Sequence, residues 1–124
     1  MVKKILYINL TARMSGAEKS LLGLMAGLDR KKFQPVLLLP ETGAFLGEAT
    51  ANGIETIILP SLIKFGEFYQ FWKIPKMFRA VLKLKKIIRE KEISLVHSNT
   101  PRAAYMGGLA ARICRIPHFT HVRD

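Results

Sequence analysis

The chain alternates between short contiguous apolar runs and longer stretches in which apolar residues recur every three or four positions. Ile5 to Asn9 is the first run. After Thr11, Ser15 and Gly16 the spacing changes, and Leu21, Leu22, Leu24, Met25 and Leu28 fall at helical intervals between Ala17 and Leu28. Asp29-Arg30-Lys31-Lys32 breaks that pattern. Val36-Leu37-Leu38-Leu39, bounded by Pro35 and Pro40, then has the continuous apolar character of a parallel strand buried on both faces. A short helix is predicted over Ala44 to Ala51, stopped by Asn52-Gly53, and a third strand over Ile54 to Leu59, ended by Pro60.

From Pro75 the helical spacing is strongest. Met77, Val81, Leu84 and Ile88 form one stripe with Phe78 and Leu82 beside it, and this stripe is expected to face the sheet. Ile93 to His97 predicts a fourth strand. Pro101 sits where a first-turn proline is tolerated, ahead of a helix over Ala103 to Arg115 whose small residues Ala104, Gly107, Gly108 and Ala111 let it lie close to a sheet. Pro117 introduces a fifth strand, Phe119 to Val122. Strand–helix alternation joined by right-handed crossovers predicts one α/β domain over residues 1–124, a Rossmann-like doubly wound parallel sheet with helices on both faces. Ligands of such sheets bind beyond the carboxyl ends of the strands, here the loops 10–16, 40–43, 60–66, 98–102 and 123–124.

Composition narrows the setting. At 124 residues, with 49% hydrophobic and 23% charged residues, the chain has the balance of one folded domain and not of a disordered tail. Its single cysteine, Cys114, rules out an internal disulfide framework and makes a reducing cytoplasm the natural location. Lys3 and Lys4 ahead of Ile5 to Ile8 begin like a signal peptide, but the apolar run is too short and reads as a strand. No apolar stretch approaches the roughly twenty residues needed to cross a bilayer, so membrane contact, where it occurs, is peripheral.

The net charge of +11 favours an anionic partner without choosing among nucleic acid, an acidic membrane face and phosphorylated small molecules. Distribution is more informative. Between Leu62 and Glu92 stand nine Lys or Arg and three Glu, and on the helix from Pro75 the cations Lys76, Arg79, Lys83 and Lys86 share one face opposite the apolar stripe. Phe65, Phe68, Tyr69, Phe71 and Trp72 precede it, and aromatics beside a basic helix are what contact with an anionic membrane surface requires. The alternative is a solvated helix face with the aromatics packed in a core. A nucleic-acid module is the competing class, but no recognition signature accompanies the charge, so no specific nucleic-acid partner is expected.

Ser15-Gly16 at the start of the first helix suits an anion, since glycine admits a ligand to backbone amides and the helix N-terminus favours negative charge. The full three-glycine dinucleotide fingerprint is absent. The plainer alternative is that Gly16 allows a tight turn and Glu18 complements the helix dipole. His97 and His121 carry two readings as well, cleft residues or satisfied histidines at strand ends, and Arg123 is either a fork for an acidic group or solvated.

Met14-Ser15-Gly16-Ala17-Glu18-Lys19-Ser20-Leu21-Leu22 resembles the Gly-Gly-Ala-Glu segment opening the first helix of family 4 glycosyltransferases. Ser94 to Ala104, Gly107 to Pro117 and His121-Val122-Arg123-Asp124 are similar, in the same order, to a long stretch of that family's N-terminal domain. The resemblance implies a GT-B enzyme, in which two Rossmann-like domains face each other across a cleft. Such an enzyme transfers a sugar from a nucleotide-sugar, such as a UDP- or GDP-sugar, to an acceptor, usually with retention, and needs no cofactor or metal. Cell-surface polysaccharide or glycolipid synthesis is the implied setting, with cytoplasmic location at the inner membrane face where the acceptor is lipid-linked.

On this resemblance the chain is the N-terminal, acceptor-side domain, truncated before the C-terminal donor domain and expected to be inactive alone. Ser15, Gly16 and Glu18 would lie on the donor phosphate side, and His97, Asn99, Thr100, Arg102, His121 and Arg123 would receive the acceptor. Trp72, Lys76, Arg79, Lys83 and Lys86 would meet the membrane. Ser15 replaces the motif's first glycine, Asn99 replaces a frequent histidine, and Arg123 falls where many relatives carry a cleft histidine, so no catalytic residue is assigned.

Overall fold

In the computed structural model, which describes residues 2–60, 74–99 and 101–120, strands and helices alternate along the chain. They are β1 (Lys3–Ile8), α1 (Gly16–Ala26), β2 (Phe33–Leu39), α2 (Ala44–Ala51), β3 (Glu55–Ile58), α3 (Ile74–Glu90), β4 (Ile93–Ser98), α4 (Pro101–Ile113) and β5 (His118–Thr120). The sheet is parallel throughout, in the order β3-β2-β1-β4-β5. β1 is central, pairing β2 on one side and β4 on the other, with Ile8 opposite both Leu38 and Ser98.

The contiguous apolar runs follow from burial on both faces. Along β1, Ile5 and Tyr7 join a core with Leu21 and Met25 of α1 and Phe45 and Ala49 of α2. Leu6 and Ile8 point the other way, into a core with Val81, Leu84 and Ile88 of α3 and Ala103, Met106 and Ala110 of α4. Consecutive residues therefore serve opposite cores, as the period of two in a strand requires. Each fully buried Leu or Ile contributes roughly 1.5–3 kcal/mol relative to leaving it exposed, so the two cores together hold the sheet between its helices.

Two details depart from the sequence pattern. Pro35 lies inside β2, opposite Ile5, and not at its border. A proline is tolerated there because β3 begins only opposite Val36, leaving that edge of β2 unpaired at Pro35. On α3, Val81, Leu84 and Ile88 are buried as expected and Ala80 joins them, the side chain of Met77 lies outside the described residues, and Phe78 and Leu82 are turned outward at 56% and 57% exposure. A stripe centred on Val81, Leu84 and Ile88 leaves those two positions on the far side of the helix, among the cations.

α4 packs closest to the sheet. A Cβ placed on Gly107 would come within 2.5 Å of Ser98 Oγ and 3.0 Å of Ile8 Cδ1, so only glycine lets the helix lie at this distance. Ser98 Oγ is in turn 3.3 Å from the Ala103 carbonyl oxygen and 2.8 Å from His118 Nε2, joining β4, α4 and β5. A hydroxyl proton given to the carbonyl, which can only accept, leaves Nε2–H to donate to Oγ, and one given to Nε2 requires the other tautomer. The other ring nitrogen lies over Gly108, where an added Cβ would stand 3.3 Å from it. Burial of the imidazole holds its pKa below the ordinary 6.5.

Gly107→Ala is expected to destabilise the domain by about 1–3 kcal/mol, because Ser98 and Ile8 belong to the sheet and cannot move aside; chemical denaturation checks it. For His118 the unfolded chain takes up its proton first as pH falls. Its contribution to stability is therefore complete above 6.5 and is lost as pH drops through 6.5 toward the lower folded value. Melting curves between about pH 7.5 and pH 5.5 should show a steeper loss for the wild type than for His118→Gln.

Candidate functional site at the carboxyl ends of β1 and β4

β1 and β4 are neighbours whose following helices lie on opposite faces, since α1 packs into one core and α4 into the other. A crevice opens where the connections diverge in this way, at the carboxyl ends of the two strands. The residues just past those ends are Asn9 and Asn99. Asn9 N–H donates to the Leu38 carbonyl at 3.1 Å and Asn99 N–H to the Ile8 carbonyl at 3.0 Å, so the backbone places the two carboxamides side by side.

A chain of polar side chains runs from there to the start of α1. Asn99 Nδ2 donates to Asn9 Oδ1 at 2.8 Å, and Asn9 Nδ2 donates to the Thr11 carbonyl at 2.6 Å and to Glu18 Oε2 at 3.2 Å. Both of the latter partners only accept, which fixes the orientation of the Asn9 amide. Glu18 Oε1 accepts the Ser15 backbone N–H at 3.2 Å and also the Ser15 hydroxyl. Asn9 and Asn99 are fully buried and Glu18 is 2% exposed. A buried carboxylate is tolerated only when its lone pairs are filled. Here three donors fill them, and the carboxylate sits at the positive end of α1.

Ser15 is the N-cap of α1, and Gly16 opens the helix. No described residue lies within 4 Å of a Cβ built on Gly16. Among the described glycines only Gly53 has a positive φ, so neither backbone conformation nor packing among the described residues requires a glycine at Gly16. Among the described residues the space over the first turn of α1 is open. The first-turn amides of a helix have no partner within it. The loop leading to this turn is pinned from the side: Phe45 N–H donates to the Ala12 carbonyl at 2.9 Å, and a Cβ on Gly43 would be 2.8 Å from Ala12 Cβ.

The other residues singled out in the sequence fall in several places. His97 is half-buried at the end of β4 with its ring against Tyr7, centroids 5.1 Å apart and planes at 37°. Burial of Tyr7 pushes its hydroxyl pKa up. Thr100, His121, Arg123 and Trp72 lie outside the described residues, as do the side chains of Arg102 and Lys76, whose backbones belong to α4 and α3. Arg79, Lys83 and Lys86 are exposed on α3, Lys86 facing Glu90 at 3.8 Å. Asn9 was not marked by the sequence; it ends an apolar run as loop residues often do, and its partner Asn99 is ninety positions away.

Among the described residues no three His, Cys, Asp or Glu side chains are grouped as a metal ion would need, and no helix is long and apolar enough to cross a membrane.

The model of Glycosyltransferase Family 4 matches residues 14–124. No curated protein matches the chain in sequence. Among solved structures, HepE from Anabaena, crystallised with UDP-glucose, is 23% identical with a TM-score of 0.69, over 98% of this chain and 29% of its own. A glycosyltransferase from Rickettsia africae ESF-5 is 17% identical with a TM-score of 0.75, over 96% of this chain and 29% of its own. MurG from Acinetobacter baumannii is 18% identical with a TM-score of 0.71, over 97% and 35%. The chain spans about a third of the length of these proteins, and at these identities the likeness is one of fold. The match over residues 14–124, carried on a five-stranded parallel sheet with helices on both faces, makes this chain a member of Glycosyltransferase Family 4, with the Rossmann-like fold of a GT-B N-terminal domain.

Proposed function

We propose that the full-length protein transfers a sugar, with retention, from a nucleotide-sugar such as a UDP- or GDP-sugar to an acceptor, and that this domain forms the acceptor side of the cleft. The observation that carries the reading is the open space over Gly16. A helix start at the topological switch point, with a glycine that packing among the described residues does not require, suits the close approach of a diphosphate to backbone amides. That HepE was crystallised with UDP-glucose on a similar fold supports the same donor class here. The C-terminal domain would hold the nucleotide, and no cofactor is called for.

The acceptor would lie at the ends of β4 and β5. Thr100 and Arg102 follow β4 in the sequence, and His121 and Arg123 follow β5. His97 and Asn99 form the floor behind them, the first against Tyr7 and the second on Asn9. A planar guanidinium is suited to a phosphate or carboxylate on the acceptor. The charge distribution supports a lipid-linked acceptor and a part in polysaccharide or glycolipid synthesis at the cytoplasmic membrane face. Phe78 and Leu82 stand exposed on α3 between Arg79, Lys83, Lys86 and Arg89, an arrangement suited to insertion among anionic headgroups, with Lys76 and Trp72 preceding them in the chain.

Gly16→Val tests the donor half. The melting temperature should stay close to wild type, because a Cβ at this position meets none of the described residues. Affinity of the full-length protein for its UDP- or GDP-sugar should fall about tenfold or more, the loss expected when charge-assisted contacts to a diphosphate are broken. Unchanged affinity would sink the placement of the diphosphate. For the membrane half, wild type should sediment with anionic and not with neutral liposomes, and replacing Lys76, Arg79, Lys83 and Lys86 by Gln should abolish this. Wild type remaining in the supernatant with both lipids would remove the membrane contact and leave a soluble acceptor.

A further inference from the structure

We infer that Asn9 and Asn99 are positioning residues whose task is to hold the Glu18 carboxylate inward, so that the first turn of α1 is left available to the donor's diphosphate; this rests on the nucleotide-sugar reading above.

Glu18 is itself an anion on the first turn of α1, in the position from which a carboxylate can cover the helix N-terminus. It is therefore an intramolecular competitor of any phosphate drawn to the same amides. In the structure that competition is confined to one amide: Glu18 Oε1 accepts the Ser15 N–H and hydroxyl as part of a capping box, which leaves the Gly16 and Ala17 N–H groups outside it, and Oε2 accepts from Asn9 Nδ2 at 3.2 Å. Asn9 is held in turn by the Thr11 carbonyl at 2.6 Å and by Asn99 Nδ2 at 2.8 Å. Capping accounts for Glu18 on Ser15, but packing gives no reason for the two fully buried asparagines behind it, since apolar residues of that size would fill the space without desolvating polar groups. Their common effect is to fix one carboxylate and, through it, the loop that carries Ser15 and Gly16. Because Asn99 directly follows β4, the same chain links that loop to the strand end assigned to the acceptor.

The test uses the full-length protein and isothermal titration with UDP, GDP and uridine. Asn9→Asp keeps the size of the side chain but sets a carboxylate against Glu18, which drives the Glu18 side chain outward. The expected result is about a tenfold weaker affinity for the diphosphate, with uridine affinity unchanged. The double variant Asn9→Asp with Glu18→Gln restores a donor–acceptor pair of reversed polarity, Gln Nε2 to Asp Oδ, and should bring affinity back to within about threefold of wild type. Asn99→Asp removes the donor to Asn9 Oδ1 and should weaken diphosphate binding less, which keeps the idea testable where Asn9→Asp alone does not fold. Wild-type affinity in the single variants overturns the assignment. So does a loss that the swap does not repair, or one shared equally by uridine, either of which marks a purely structural role. Wild type that binds neither UDP nor GDP overturns the nucleotide-sugar reading itself, and this inference with it.

Discussion

The pairing of β1 with β4 is the contact on which the rest depends. These strands are separated by more than eighty residues, and the closure entropy of so long a loop is offset only when both cores form together. β1 contributes alternate residues to each core, so it is buried on both faces and paired on both edges. Once β4 lies beside it, the helices that follow the two strands must leave on opposite faces, and the crevice between them is a geometric consequence. The candidate site is thus a by-product of the topology before any polar residue is considered.

What the polar residues add is a tie across that crevice. Ile8 and Ser98 are register partners, and immediately beyond them the sheet could fray. Instead Asn9 and Asn99 extend the connection through side chains, and Glu18 brings α1 into it. On the other side of β4, Ser98 does the same for α4 and β5 through Ala103 and His118. Alternate residues at one strand end therefore serve the two faces with polar contacts, as alternate residues along its length serve them with apolar ones. Such networks are stabilising only when every member is satisfied, which is why the donors on Glu18 matter more than their individual distances.

The sequence carried the architecture well, because the signals were local. Val36 to Leu39 could not be an amphipathic surface element, and Ala17 to Leu28 could not be a strand. The α3 stripe was legible at Val81, Leu84 and Ile88 but misplaced Phe78 and Leu82, since apolar residues adjoining a stripe look the same in sequence whether they join the core or stand in solvent. Pro35 was taken as a boundary because the shortness of β3, which makes room for it, is not written near Pro35. The Ser-Gly-Ala-Glu segment, followed in order by the stretches from Ser94, Gly107 and His121, pointed to the family, as the match over residues 14–124 bears out. It left Glu18 ambiguous, because whether an acid in the first turn faces a ligand or the interior depends on Asn9, and Asn9 depends on a residue ninety positions on.

Most of the positive charge stands away from the site. At the carboxyl ends of β1 and β4 the buried carboxylate is Glu18, whose charge is spent on Ser15 and Asn9, with His97 half-buried at the end of β4 and Arg13 exposed in the loop before α1. Most of the other described cations stand at the start of β1, after α1, along α3 and at the end of α4, and two of them, Lys86 and Lys91, face Glu90 and Glu55. Ion pairs such as Lys86 with Glu90 at 3.8 Å are exposed and contribute little to stability. A domain does not need +11 to fold, and self-repulsion among like charges works against compactness. Under the proposed function these cations would meet an anionic surface outside the fold, while the uncharged and inwardly tied groups at the strand ends would meet the substrates.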